Sequence, residues 1–322
     1  MNNFRKPGFW IPLLILLAWG LYILVGGKDI ARENTFTLMM FVGLASSLNI
    51  LLGYTGYVSF GHIVFFGLGG YTGFYLIAQQ GWPLYAAALG GGVVSAGLAG
   101  LMGLAVLRLR GAYFALATIG INEAARAFVS NFAPFGGATG LSVNFSVYQE
   151  YGGAARALWL VFILMWLLTM VAVVASYLLK NSRFGLGLLA IREDEDAAMV
   201  MGVKAPLAKT LAYSCSAFLP GVIGTLYFFK NGNVEPGDAF QLHMSIEMLV
   251  MVMLGGHGTV LGPVLGAVTY QGMRGYLLTS PIFKDLHLAV AGVILLLIIL
   301  FVPAGVVGWL RGRFPRLRGV LE

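Results

Sequence analysis

The chain has 322 residues, of which 59% are hydrophobic and only 10% charged, and its mean hydropathy is +0.85. A soluble globule of this size needs roughly a quarter charged residues to wet its surface, so this chain must turn much of its outside to lipid. One cysteine, Cys215, excludes a disulfide scaffold. The net charge of +7 comes from short basic clusters between apolar runs, the pattern of membrane-protein loops and not of a nucleic-acid face.

A membrane-spanning helix needs about 20 apolar residues. Such runs lie at about 9–25, 36–53, 57–78, 84–107, 112–130, 157–179, 210–229 and 288–310. The first could be read as a secretory signal, but no small-residue cleavage site closes it, and an uncleaved span is favoured. A further apolar stretch, 245–270, is interrupted by Gly255-Gly256-His257-Gly258 and by Gly262-Pro263, so it is one broken span or two short ones. Lys and Arg favour the cytoplasmic side. Arg5 and Lys6 before the first run, and Arg311, Arg313, Arg316 and Arg318 after the last, put both termini inside. That requires an even number of crossings, which counting 245–270 as two satisfies at ten; eight or nine remain open. With ten, thirteen of the twenty basic residues fall inside. Arg274 and Lys284, outside, weaken the bias locally. The expected fold is therefore all-α: a single transmembrane helical bundle over 1–322, with a cytoplasmic loop at about 180–209.

Forty-five glycines are about twice the average share. Small residues let helices approach closely in lipid, and Gly69 with Gly73, and Gly258, Gly262 and Gly266, have GxxxG spacing. Dense glycine also permits unwound backbone, tolerated at membrane depth only beside protein or a water-filled cavity. Transporters place substrate at such breaks. Two stretches qualify, Gly53–Gly73 and Gly255–Gly266, with Pro263 in the second.

Polar residues at depth are candidates for a translocation path: Ser59 and His62 at the start of the third run, Asn122 and Glu123 within the fifth, and Glu247 opening the broken stretch. Each has a plainer reading. His62 can be an interfacial histidine bonded to a backbone carbonyl. Glu123 and Arg126, spaced i, i+3, can neutralise each other as a structural ion pair. Glu247 in a first helical turn would serve as a favourable charge at a helix N-terminus. No catalytic residues are identified and no metal-ligand spacing is present. No GxxxxGK[ST] occurs, so any ATP-driven process needs its motor on another subunit.

The most informative segment is 183–206. Four of the thirteen acidic residues fall together at Glu193, Asp194, Glu195 and Asp196, interleaved with Ile191, Ala197, Val200, Met201 and Gly202. Ala197, Val200 and Met201 can share one face of a short helix lying along the membrane surface, a docking knob for a partner with a groove.

Several pieces in order resemble the permease subunits of branched-chain amino acid ABC importers of the LivM type. They are Gly53-Tyr54-Thr55-Gly56-Tyr57-Val58-Ser59-Phe60-Gly61-His62, Phe65-Phe66-Gly67, Tyr113-Phe114-Ala115-Leu116-Ala117-Thr118, Ala190-Ile191-Arg192-Glu193-Asp194-Glu195, Lys209, Ser216-Ala217-Phe218, Ser245-Ile246-Glu247, Leu254–Pro263 and Pro303-Ala304-Gly305. Leu219-Pro220-Gly221 departs from the expected alanine-rich sequence and questions the straightness of that helix. The resemblance implies an inner-membrane subunit that holds no cofactor itself, with ATP and Mg bound by partners. It implies a second homologous permease, two cytoplasmic ATPases and an extracytoplasmic substrate-binding protein. Ile191, Arg192, Glu193, Asp194, Glu195, Asp196, Ala197, Met201 and Gly202 would then couple to the ATPases. Branched-chain or other hydrophobic amino acids are the expected substrates, with urea, amides or aromatic acids as the alternative within the same machinery. A solitary ion-coupled transporter is the alternative of another class; it would need carboxylates at mid-membrane, where only Glu123 stands.

Overall fold

A computed structural model of the chain describes residues 7–26, 29–279, 289, 290, 292, 293, 296, 297 and 305–313. Eleven of the 23 positions of the expected last span, 288–310, lie outside the described residues, as do Arg5, Lys6, Lys28, Lys284, Arg316 and Arg318. The described chain is overwhelmingly helical. In order come α1 (Pro7–Gly26), α2 (Asp29–Thr55), α3 (Ile63–Gln80), α4 (Leu84–Val106), α5 (Ala112–Asn131), α6 (Ser146–Glu150), α7 (Ala154–Lys180), α8 (Arg183–Glu193), α9 (Glu195–Val200), α10 (Ala205–Asn231), α11 (Pro236–Ala239), α12 (Leu242–Gly255), α13 (Leu261–Thr279) and α14 (Gly305–Arg313). Two short strands, β1 (Leu141–Ser142) and β2 (Asn233–Val234), pair antiparallel and clasp the segment after α5 to the end of α10. Among the described residues, five helical stretches are long and apolar enough to cross a membrane: 29–55, 84–106, 154–180, 205–231 and 236–255.

The centre of the bundle is α3, α4 and α10, and glycine sets their spacing. A Cβ on Gly69 would enter the backbone of Gly221, one on Gly224 the carbonyl of Phe66, and one on Gly73 the side chain of Thr225. Thr225 fixes this seam by donating its hydroxyl to Gly69 O at 3.1 Å. The expected packing at Gly69 and Gly73 is therefore present. α10 runs through Pro220 without interruption. Outward positions of α1 and α4 carry exposed Leu14, Trp19, Leu89, Val93, Leu101 and Leu104, as lipid-facing surfaces do.

The third span starts later than its hydropathy suggests. Residues 57–62 form an irregular, non-helical stretch. Gly56, at φ +77°, ends α2 in the left-handed region that glycine adopts without strain. Non-helical backbone inside a bundle needs hydrogen-bond partners, and side chains from distant helices supply them. Phe60 N donates to Thr118 Oγ1 at 3.1 Å and Ile63 N to Ser245 Oγ at 3.2 Å. The stretch 245–270 resolves into two helices folded back on each other. Positions Gly255, Gly262 and Gly266 touch backbone to backbone. Gly258 does not join that packing; it sits in the connecting turn at φ +75°.

One end of the bundle gathers the C-terminal end of α2, the α4–α5 turn, α8 and α9, the start of α10 and the α12–α13 turn, with Gly305 at the start of α14 against Gly256.

Candidate coupling surface and translocation residues

The charged loop is two helices, not one. Ser182 caps α8 by accepting from Gly185 N at 3.0 Å. Asp194 breaks the run and caps α9, its Oδ1 accepting from Asp196 N at 2.9 Å and Ala197 N at 3.0 Å. That reset of helical phase divides the acidic cluster. Glu195 turns inward, where its carboxylate meets Lys209 Nζ at 2.6 Å and the Tyr57 hydroxyl at 3.2 Å. Lys209, buried, also donates to the Tyr57 hydroxyl at 2.7 Å and to Leu107 O at 3.0 Å. Asp196 stays outside and pairs with Arg110 at 3.0 Å. That bond holds the Asp196 carboxyl below its ordinary value and raises the Arg110 guanidinium. Glu193 pairs with Arg192 at 3.2 Å.

The inner face of the loop is apolar. Leu188, Ile191 and Ala198 pack with Ile50, Tyr54, Ala205 and Ala212, and the Tyr54 hydroxyl ties this cluster to α7 through Ser176 at 2.7 Å. The outer tip is apolar too: Val200 is 88% and Met201 84% exposed. Of the expected coupling residues, Glu193, Ala197, Met201 and Gly202 thus face outward, while Ile191, Arg192 and Glu195 are engaged inside the bundle.

Arg192 reaches in from α8. Its Nη1 donates to Gly53 O at 2.8 Å. One turn earlier on α2, Asn49 holds the α12–α13 turn with both ends of its amide: Nδ2 to Thr259 O at 2.9 Å, and Oδ1 from Gly258 N at 2.9 Å. Sequence reasoning did not single out Asn49, Tyr57 or Arg110 for a role, and Lys209 entered only through the resemblance. Asn49 carried the signal that marked Asn122, a polar residue at depth in an apolar run.

The translocation candidates do not converge. Ser59, His62 and Asn122 are fully buried. His62 Nε2 lies 3.3 Å from Ser47 Oγ, and its ring faces the carbonyl of Ser216, the acceptor that Pro220 leaves without its helical partner. Asn122 donates to Phe240 O at 2.9 Å, tying α5 to the α11–α12 connection. His62 and Asn122 thus tie neighbouring elements together, and Ser59 lies buried in the irregular stretch between α2 and α3. Glu247 is not in a first turn, because α12 begins five residues earlier. It is buried and paired with Arg274 of α13 at 3.3 Å, so Arg274 is not a free loop charge, and its weakening of the charge bias has a local cause. Glu123 and Arg126 lie 3.9 Å apart and are exposed in the middle of α5. Beside them the outward face carries Tyr113, Leu116, Gly120, Ala124 and Ala127. A cleft of about 520 Å³ separates the first turn of α5 from α8 and α9, lined by Gly56, Val58, Arg110, Ala112, Ala115 and Arg192 among others. Among the described residues no cluster of His, Cys, Asp or Glu could hold a metal.

A glycine-seamed bundle of apolar helices, five stretches of it long and apolar enough to cross a membrane among the described residues, fits an integral membrane protein. The chain belongs to the family of permease components of branched-chain amino acid transport systems, which matches residues 31–299. It is 29% identical to the high-affinity branched-chain amino acid transport system permease protein LivM of Salmonella typhimurium, over 98% of this chain and 78% of that one. It is 28% identical to the LivM protein of Escherichia coli, over 100% and 79%. A ribose import permease protein, RbsC of Bacillus subtilis, is 24% identical over 50% of this chain and 51% of its own. No solved structure matches.

Proposed function

We propose that the chain is one single-domain permease subunit of an ATP-driven importer of branched-chain or similarly apolar amino acids in the cell inner membrane. A second homologous permease, two cytoplasmic ATPases carrying ATP and Mg, and an external binding protein complete it. The observation that carries this reading is the loop of α8 and α9. Its tip exposes Val200 and Met201 while Glu195 and Ile191 brace it against the bundle. A rigid apolar knob of this kind suits a groove on a partner that must push and pull. The loop end is then cytoplasmic, in line with its basic residues. With α12 and α13 counted separately and the run at 288–310 added, the crossings number ten and both termini lie inside.

The outward face of α5 supports a second permease as neighbour. Charges at mid-membrane face protein or water and not lipid, and Gly120, Ala124 and Ala127 allow another helix to approach closely. The path would run between the two subunits along this face, past Glu123, into the cleft beside Val58 and Ala115. The LivM relatives support the substrate class. The deciding experiment is isolation of the tagged chain from its native membranes in mild detergent, with mass spectrometry of what accompanies it. Two P-loop ATPases and a second permease of similar size are expected. The chain recovered by itself, from membranes that contain those proteins, would overturn the proposal.

A further inference from the structure

We propose that Arg192 acts inside the permease, as the positioning residue that links the α8–α9 loop to the α12–α13 turn, with Asn49 as the second half of the linkage. This deepens the reading of the loop as the ATPase contact and rests on it. That reading by itself would send Arg192 outward to the partner. Instead its guanidinium enters the bundle and donates to Gly53 O at 2.8 Å. There the backbone leaves it no slack. A Cβ on Gly258 would come within 2.8 Å of Arg192 Nη1, a Cβ on Gly56 within 3.1 Å of its Cγ, and a Cβ on Gly53 within 2.6 Å of Gly258 N. Three glycines from two distant parts of the chain thus close around one side chain.

The connection continues without a gap. Gly53 lies one turn below Asn49 on α2, so the two move as a unit of continuous helix. Asn49 brackets residues 258 and 259, accepting from Gly258 N and donating to Thr259 O, which fixes the turn's position and its orientation. Thr259 then caps the next helix: its Oγ1 accepts from Gly262 N at 2.9 Å at the start of α13. A displacement of α8 is therefore delivered to the start of α13 through the hydrogen bonds of Arg192, Asn49 and Thr259 and the close backbone contacts around them. The α12–α13 hairpin is itself stiff, because Gly255, Gly262 and Gly266 pack backbone to backbone. Movement at its turn is carried along both helices, toward the buried Glu247–Arg274 pair.

The test uses the complete transporter in proteoliposomes, measuring leucine uptake and ATP hydrolysis on the same preparation. Arg192→Ala is expected to leave the complex assembled and hydrolysing ATP, while uptake per ATP falls about ten-fold or more, the ratio equivalent of one charge-assisted hydrogen bond. Arg192→Lys, which keeps one donor for Gly53 O, is expected to recover part of the ratio. Asn49→Ala is expected to reproduce the loss, and the double variant to be no worse than either single one, as two parts of one linkage are. Should an Arg192 variant impair expression, Asn49→Ala supplies the same readout. Native uptake per ATP in both single variants would overturn the proposal. Loss of ATPase copurification in Arg192→Ala would overturn it too, by making Arg192 a docking contact, and would leave the function of the loop intact. If the native chain itself brings down no ATPase, the underlying reading has failed instead.

Discussion

Replacing Lys209 with Met removes the cation that holds α9 to the bundle. The Lys209 side chain is 4% exposed and its partner Glu195 13%, and the ammonium bonds the carboxylate at 2.6 Å, the Tyr57 hydroxyl at 2.7 Å and Leu107 O at 3.0 Å. Breaking a buried pair by removing one partner costs about 3–5 kcal/mol. Here Glu195 keeps Tyr57 and a longer contact to Arg110 at 3.5 Å, which places the cost at the lower end, about 3 kcal/mol. Glu195→Gln leaves the ammonium with neutral acceptors and is expected to cost about 2 kcal/mol. The double variant strands no charge, and its cost is expected to stay near that of one single variant and well below the sum. Equilibrium unfolding in mixed detergent micelles measures all three. Additive costs, or a Lys209→Met penalty under about 1 kcal/mol, would refute the assignment of this cluster as a buried latch.

Three further outcomes follow from the geometry. Val200→Asp, at an 88% exposed position, should change unfolding by no more than about 0.5 kcal/mol yet abolish copurification of the ATPases; retained copurification would remove the apolar tip from the interface. Gly255→Ala drives a Cβ into the Gly262 carbonyl and should destabilise the chain by about 1–3 kcal/mol. Gly272→Ala, where a Cβ meets nothing within 4 Å, should stabilise it by about 0.5–1 kcal/mol, so melting temperatures should move in opposite directions. Burial, and then the neighbouring Arg192 charge, holds His257 below the ordinary histidine value of 6.5. A depressed histidine lets the unfolded chain bind the extra proton first. The stability this turn contributes is complete above about pH 6.5 and is lost as the pH falls toward the lowered value. His257→Asn should flatten the pH dependence of the melting temperature below about pH 6.5; an unchanged slope there would contradict it.

Hydropathy located the helices α1, α2, α4, α5, α7 and α10 because each is a long apolar run, and that signal is local in sequence. It misjudged the start of α3, because Val58 and Phe60 carry the apolar run back past Ser59 and His62. Whether the chain is helical there depends on Thr118 and Ser245, far away in the chain. The acidic cluster was visible, but its division was not. That division follows from Asp194 capping α9, which sets the phase that turns Glu195 inward and leaves Asp196 outside. Glu247 looked like a charge at a helix start, since nothing in its neighbourhood announces Arg274, 27 residues on. Pairings of this kind are set by how helices pack, and spacing along the chain carries no trace of them.

The inward and outward charges of the chain obey different constraints, and the contrast bears on assembly. At the loop end every acidic residue from 193 to 196 is committed to the protein's own cap or cation, which leaves the outward tip apolar. At the middle of α5 the arrangement is reversed: Glu123 and Arg126 are exposed on a helix whose other face is packed. A charged side chain at the centre of a bilayer costs about 2.5–3.5 kcal/mol even on the most permissive scale. The pair at 3.9 Å cancels only part of that while it remains in contact with lipid. A bundle that buries Glu247 against Arg274 and Glu195 against Lys209 has the means to cover two more charges, and it leaves these uncovered. The surface is intelligible when something other than lipid faces it. The same reasoning applied to Val200 and Met201 gives a second missing neighbour at the other surface. The two deficits are opposite in polarity and lie on different faces, so one partner cannot satisfy both. On the proposed function they correspond to one neighbour within the membrane and another beyond it.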